Sequence, residues 1–387
     1  MRFLIPFLCG CLCSCEDSVE LASFPAPTPP PLETLECPEL LREAMKPDRR
    51  IRRAAFAQFL EKGCDPNQRI KIRQGGDSVY TTALFEAVRS HGTPTIEALL
   101  QAGGLPNEVV RDRLTPMHYA AGRLSNRVLE LLHRYGGQYT IAGTPTLFQM
   151  ISSFDFYVAR ERIRYLLDQG VDPQHDRSGA LLSMALGDRM LFKRLLDIGV
   201  DPNGRFSIGH GDCISCPEKI TPAFSAAGME QGGIPYLKIL RAYGGDLLLE
   251  NGYGENLLEY QIWAEPEVIQ YLLDQGVPVR DALTKAAGFQ QETTVALLLE
   301  NGADPNRRGP VGSFSVPNRT PLSAAIWCCG DGFHETALID RLGTIRLLLE
   351  NGAIPTEREL DFLRKATTGA HPLAQRTRAI LGAFGYL

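Results

Sequence analysis

The stretch VALLLENGADPN, Val295 to Asn306, reads as a helix end followed at once by a turn. Val295, Leu298 and Leu299 recur at helical spacing and form one apolar face. Asn301-Gly302 stops the helix, with Gly302 at the left-handed position past the C-terminus that a side chain disfavours. Asp304-Pro305-Asn306 turns the chain, because proline sets φ and the flanking carboxylate and amide bond the backbone. The phrase recurs as FLEKGCDPN to Asn67, ALLQAGGLPN to Asn107, LELLHRYGG to Gly137 and YLLDQGVDP to Pro173. It recurs again as RLLDIGVDPN to Asn203, ILRAYGG to Gly245, YLLDQGVPV to Val279 and LLLENGAIP to Pro355. The stop glycines stand at 63, 103, 136, 170, 199, 244, 276, 302 and 352, spaced by 40, 33, 34, 29, 45, 32, 26 and 50 residues.

A second phrase opens the helix that follows: Thr, often Pro, an apolar residue, two more residues, then Ala. It stands as TALFEA (Thr82 to Ala87), TPMHYA (Thr115 to Ala120), TPAFSA (Thr221 to Ala226) and TPLSAA (Thr320 to Ala325), with weaker copies ENLLEY (Glu255 to Tyr260) and DALTKA (Asp281 to Ala286). Thr or Asp there can cap the helix, and Pro at the first helical position loses no hydrogen bond. GALLSMA, Gly179 to Ala185, lacks the Thr-Pro, and Gly143 to Met150 has Thr-Pro but no matching Ala, so irregular units are expected there.

Helix, short turn, helix with a glycine stop, then a β-turn: this order resembles the ankyrin repeat, whose TPLHxA signature is best met at Thr115–Ala120. The resemblance runs from about Cys37 to the C-terminus. It implies an all-α repeat solenoid over residues 37–387, about nine repeats with the irregular ones, capped at 38–67 and 357–387. It further implies a non-enzymatic, monomeric scaffold, without cofactor or metal, that binds a protein partner through a concave helical face and extended fingers. His118, in the His position of the signature, is then structural and bonds turn backbone.

Composition agrees with a repeat array. With 387 residues, 44% hydrophobic and 22% charged, the chain exceeds the roughly 250–300 residues at which one core stops growing. A net charge of -5 argues against nucleic acid, which needs a basic face. There is no phosphate-cradling GxxxxGK, no HExxH and no GxSxG.

The N-terminus MRFLIPFLCGCLCSCEDS has one cation, Arg2, then an apolar run from Phe3 to Cys13, too short to span a bilayer. It resembles a bacterial lipoprotein signal peptide over residues 1–14: Leu12-Cys13-Ser14-Cys15 fits the lipobox, and Leu8-Cys9-Gly10-Cys11 is the shorter alternative. The resemblance implies a lipid on Cys15 and a membrane-anchored, extracytoplasmic protein of the bacterial cell envelope or periplasm. The alternatives are a buried apolar strand or palmitoylated cysteines. Residues 15–36 form a tether whose SFPAPTPPP run, Ser23 to Pro31, favours extended polyproline II.

Three turns are lengthened: Gln68 to Val79, Gly204 to Lys219 and Arg307 to Asn318. In the first, Ile70 and Ile72 alternate with Arg69, Lys71 and Arg73, which suits a two-stranded extension. With Arg205, Phe206 and His210 in the second, and Arg307, Arg308, Phe314 and Arg319 in or beside the third, these fingers are the candidate partner-binding residues. The alternative is that surface loops tolerate insertion at little cost. A fourth insertion is read at Cys328 to Asp340, between the helices of the last full repeat.

His210-x-x-Cys213-x-x-Cys216 is the sharpest local cluster. A Cys213–Cys216 disulfide, free thiols, a metal site short of its fourth ligand, or thiol-redox chemistry all remain open. Cys37 and Cys64 flank a helix pair whose antiparallel ends would meet, so a bridge is plausible there too. Two rival functions stand beside the scaffold: a metal-binding or redox protein centred on His210, Cys213 and Cys216, and a secreted or intracellular effector acting on a host protein.

Overall fold

The structure, a computed structural model, describes residues 31–74, 77–90, 92–110, 113–123, 125–141, 148, 151, 156–173, 179–206, 219–309, 319–327, 335–367 and 372–387. Cys15, Cys11, His210, Cys213, Cys216, Phe314 and the Cys328-Cys329 pair lie outside them. The chain divides into two compact units, Met1–Asp65 and Pro66–Leu387.

The described part of the first unit holds a short 3₁₀ turn, Leu32–Thr34, and a helix pair, α1 (Cys37–Glu43) and α2 (Arg49–Glu61). Asp48 starts α2 by accepting from the amides of Arg50 at 2.7 Å and Ile51 at 3.2 Å, and Phe56 and Phe59 turn its apolar face inward. Cys37 and Cys64 are joined by a disulfide, with Cα atoms 5.7 Å apart. The Lys62 ammonium donates to the Leu35 carbonyl at 2.8 Å, closing the same end of the pair.

The second unit is an all-α repeat solenoid. It opens with a hairpin, β1 (Ile70–Gln74) and β2 (Asp77–Thr81). Helix pairs follow: α3 (Ala83–Ser90) and α4 (Thr93–Gln101), α5 (Pro116–Arg123) and α6 (Asn126–Arg134). Then comes α7 (Phe156–Asp168), which has no described first helix before it. The pairs resume with α8 (Ala180–Met184) and α9 (Arg189–Ile198), α10 (Pro222–Ala227) and α11 (Gly233–Ala242), α12 (Leu257–Tyr260) and α13 (Pro266–Asp274). The last are α14 (Ala282–Gly288) and α15 (Glu292–Glu300), α16 (Pro321–Trp327) and α17 (Glu335–Glu350), α18 (Glu357–Lys365) and α19 (Pro372–Ala383).

First helices stack on first helices, α8 on α10, α10 on α12, α12 on α14 and α14 on α16. Second helices stack likewise from α11 through α19 by alternate members. The core runs between the two rows. Leu195, Phe224, Leu237, Leu258, Ile269, Leu283 and Leu298 are all buried in it, each side chain contributing roughly 1.5–3 kcal/mol of transfer free energy.

All nine stop glycines have positive φ, Gly302 at +82° and Gly352 at +87° among them, and Gly385 joins them at +72°. The turn asparagines do more than close turns. Asn306 donates its amide N–H to the Gly352 carbonyl at 2.9 Å and accepts from the Ile354 amide at 2.8 Å. Asn67 spans to Gly103 and Leu105, Asn107 to Gly136 and Gln138, and Asn203 to Gly244 and Asp246 in the same way. Each clamps a later helix end to its own turn.

His118 is buried and its Nδ1 lies 2.7 Å from the Thr115 hydroxyl and accepts from the Thr115 amide at 3.2 Å, tying down the start of α5. Arg162 on α7 donates to the Ala120 carbonyl at 2.7 Å, satisfying the end of α5.

Two expectations need correction. The fourth insertion is not a loop to Asp340: α17 begins at Glu335 and absorbs its second half. The Thr-or-Asp cap is not general, since neither Thr221 nor Asp281 makes a side-chain cap bond, whereas Asn256 caps α12 with Glu259 in a reciprocal box.

Candidate protein-interaction surface

The hairpin pairs Lys71 with Tyr80 and Arg73 with Ser78, while Ile70 and Ile72 share the other face. Ile70 is buried, and Lys71, Arg73, Ser78 and Tyr80 form an exposed, basic and aromatic face. Arg69 belongs to the base: its Nε donates to the Glu108 carboxylate at 2.8 Å. In the second finger, Phe206 and Ile220 exchange backbone bonds at 3.0 and 2.9 Å, and Arg205 reaches back to the Lys219 carbonyl at 3.4 Å. The third is closed by the Gly309 amide donating to the Arg319 carbonyl at 3.0 Å. Arg308 stays exposed, Arg307 lies 3.7 Å from the Asp281 carboxylate, and Arg319 donates to the Trp327 carbonyl at 2.6 Å as an internal strut.

A second surface arises where α10, α12 and α14 lie side by side. The fifth residues of three successive helix-opening phrases, Ser225, Glu259 and Lys285, meet there and line a pocket of about 590 Å³. Two aromatic pairs bracket it. Phe224 and Tyr260 pack edge-on with centroids 5.4 Å apart, and Trp263 and Phe289 tilt against each other at 5.1 Å. Trp263 and Phe289 each stand four residues past Glu259 and Lys285, just beyond the helix ends, so the same spacing serves both repeats. Gln261 donates to the Phe224 carbonyl at 2.6 Å, joining the end of one first helix to the next repeat.

The charges in and around the pocket are paired. The Lys285 side chain is only 7% exposed; its ammonium donates to the Glu255 carboxylate and lies 3.4 Å from the Glu259 carbonyl. Glu259 accepts from the amides of Asn256 at 2.9 Å and Asp281 at 3.3 Å, and Arg280 binds Glu250 at 2.6 Å with Glu259 4.0 Å away. Burial raises the carboxyl pKa of both Glu259 and Asp281 above the ordinary range. Among the described residues no group of three or more His, Cys, Asp or Glu could hold a metal ion.

The fingers were legible as interrupted turns, and the structure places Lys71, Arg73 and Arg308 at the surface. The pocket was missed. Its signal was the changing fifth position of the phrase, which is Glu86, Tyr119, Ser225, Glu259, Lys285 and Ala324 in order.

No protein-family model and no curated protein sequence matches the chain. Among solved structures it is similar to the human ASB11 ankyrin repeat domain, at 21% identity over 62% of this chain and 98% of that one, with a TM-score of 0.41. It is also similar to the ankyrin repeat domain of Bcl-3, at 20% identity over 61% of this chain and 97% of that one, with a TM-score of 0.34.

Proposed function

We propose that the chain is a non-enzymatic scaffold that binds a protein partner across the first-helix face of the solenoid and the exposed face of the hairpin. The observation that carries this reading is Trp263, which lines the pocket, is 58% exposed and tilts against Phe289. Large aromatics held at a surface by a packed repeat core present contact area with little ordering cost. The test is chemical cross-linking in the native host, followed by mass spectrometry, with the parent chain, a Trp263→Ala/Phe289→Ala pair and a Lys71→Glu/Arg73→Glu pair. One partner, captured by the parent and lost from either pair, is the expected result. A partner held equally by both pairs would move the interface elsewhere.

The reading extends to the cell envelope. In it Cys15 carries the lipid, with Cys11 as the alternative, and the proline-rich segment spaces a monomeric scaffold from the membrane. Support comes from the order of cation, apolar run and lipobox. Acyl burial would hold the chain at about 0.8 kcal/mol per buried CH₂. Among the described residues no helix is long and apolar enough to cross a membrane. Mass spectrometry of the mature N-terminus should find an acylated cysteine, and an intact Met1 would end this extension.

A further inference from the structure

We propose that the pocket between α10, α12 and α14 receives a protonated side chain, an arginine or lysine from a basic segment of the protein partner. This rests on the scaffold reading and adds the chemistry of what enters.

Two observations support a cation. First, four aromatic residues line it, Phe224, Tyr260, Trp263 and Phe289, and Trp263 is largely exposed. A ring face is the negative end of the aromatic quadrupole, and indole is the strongest of the natural platforms for a cation. Second, the charges do not balance. Among the described residues, two carboxylates, Glu255 and Glu259, line the pocket with one cation, Lys285. One negative charge is left over. The one lining cation, Lys285, is held on Glu255 and the Glu259 carbonyl, so an entering anion would meet a neutralised ammonium. Asp281 is buried and its Oδ1 makes no hydrogen bond, its nearest cation being Arg307 at 3.7 Å. That carboxylate does not line the pocket; Arg307 is its ion-pair partner, and the Asp281 backbone amide donates to the lining Glu259 at 3.3 Å.

The size agrees. A pocket of about 590 Å³ open to solvent takes one long side chain and the backbone that carries it. An aliphatic stem would lie along Tyr260 and Trp263, leaving the charged head toward Glu255.

The test uses the full chain and three synthetic twelve-residue peptides of Gly and Ser, carrying two arginines, two citrullines or two glutamates, titrated by calorimetry. Citrulline keeps the shape of arginine and removes its charge. The arginine peptide is expected to bind about tenfold more tightly than the citrulline peptide, and the glutamate peptide not at all. Trp263→Ala should weaken arginine-peptide binding about tenfold, Trp263→Phe should restore most of it, and Glu255→Gln should weaken it while leaving citrulline-peptide binding unchanged. Glu300→Gln, the same charge change at an exposed position outside the pocket, should have no effect. If Glu255→Gln does not fold, Trp263→Lys, at an exposed site, replaces it and should abolish binding. Equal binding of the citrulline and arginine peptides, both lost in Trp263→Ala, overturns the cation and leaves the scaffold reading intact. Arginine-peptide binding that ignores Trp263→Ala overturns the pocket, since it reports only diffuse attraction to an acidic chain. Absence of all peptide binding overturns the proposal, while the cross-linking experiment continues to judge the scaffold.

Discussion

The turns and the first-helix pocket are made from neighbouring letters of the same repeat, yet they behave oppositely. In the turns the sequence repeats closely, and the side chains bind other repeats: Asn67, Asn107, Asn203 and Asn306 each make the same two bonds. In the pocket the sequence varies at each copy, and Trp263 is left largely in water. Repetition marks groups that hold the array together, and on the proposed reading the varied positions shape the surface a partner meets. On that reading the turn asparagines serve stability and Trp263 serves recognition.

Gly179 should give the largest effect. Its φ is +68°, and an added Cβ would lie 2.3 Å from the Gly204 carbonyl, backbone that cannot step aside. Gly179→Val should cost about 3 kcal/mol or more in urea unfolding, from left-handed strain and collision together. A cost below about 1 kcal/mol would mean that the joint between these repeats is loose.

Asn306→Ala comes next. Two cross-repeat bonds are lost, and about 1–2 kcal/mol should follow, with faster hydrogen exchange at the Ile354 amide. Unchanged exchange there would reduce the clamp to a turn residue.

Asp281→Asn probes the charges around the pocket and should be smaller, within about 1 kcal/mol of the parent at neutral pH. The sign of its pH effect is specific. Burial raises the folded carboxyl of Asp281 above 3.8, so the folded state holds the proton more tightly than the unfolded chain. Its contribution is best below pH 3.8 and declines as pH rises through the folded pKa, the reverse of an ordinary ion-paired aspartate. Asp281→Asn should flatten that decline in acid-range unfolding curves. A steeper decline in the variant would contradict it.

Trp263→Ala should have the smallest stability effect, within about 0.5 kcal/mol, because the ring is mostly exposed. A large loss would make Trp263 a core residue and erase the contrast between joint and pocket.

Much of the fold was legible because each repeat restates its neighbours. Glycine at a helix end has a local cause, so the stop positions could be read one by one, and their positive φ values follow from that cause. What stayed hidden was non-local. The carbonyl that Asn306 binds is 46 residues away, and nothing within the turn points to it. The pocket was hidden for the same reason, since Ser225, Glu259 and Lys285 become neighbours only once the first helices are stacked. The fourth insertion was misjudged at its end: Glu335, Ala337 and Leu338 are good helix formers, and α17 takes them in. Arg319 looked like a contact anchor because it sits beside an insertion, but its guanidinium closes the end of α16.

The asparagine clamp also bears on how such a chain can change. It asks little of its partner: one helix-end carbonyl and one amide two residues later, both backbone groups. A socket made of backbone accepts any repeat whose second helix stops at a left-handed glycine. Whole repeats could then be duplicated, removed or exchanged by recombination without redesigning this clamp, while each rearrangement sets new fifth-position residues side by side. The asparagine part of a seam reads backbone alone, whereas Arg194 to Asp168 and Ser183 to Ser225 join repeats side chain to side chain.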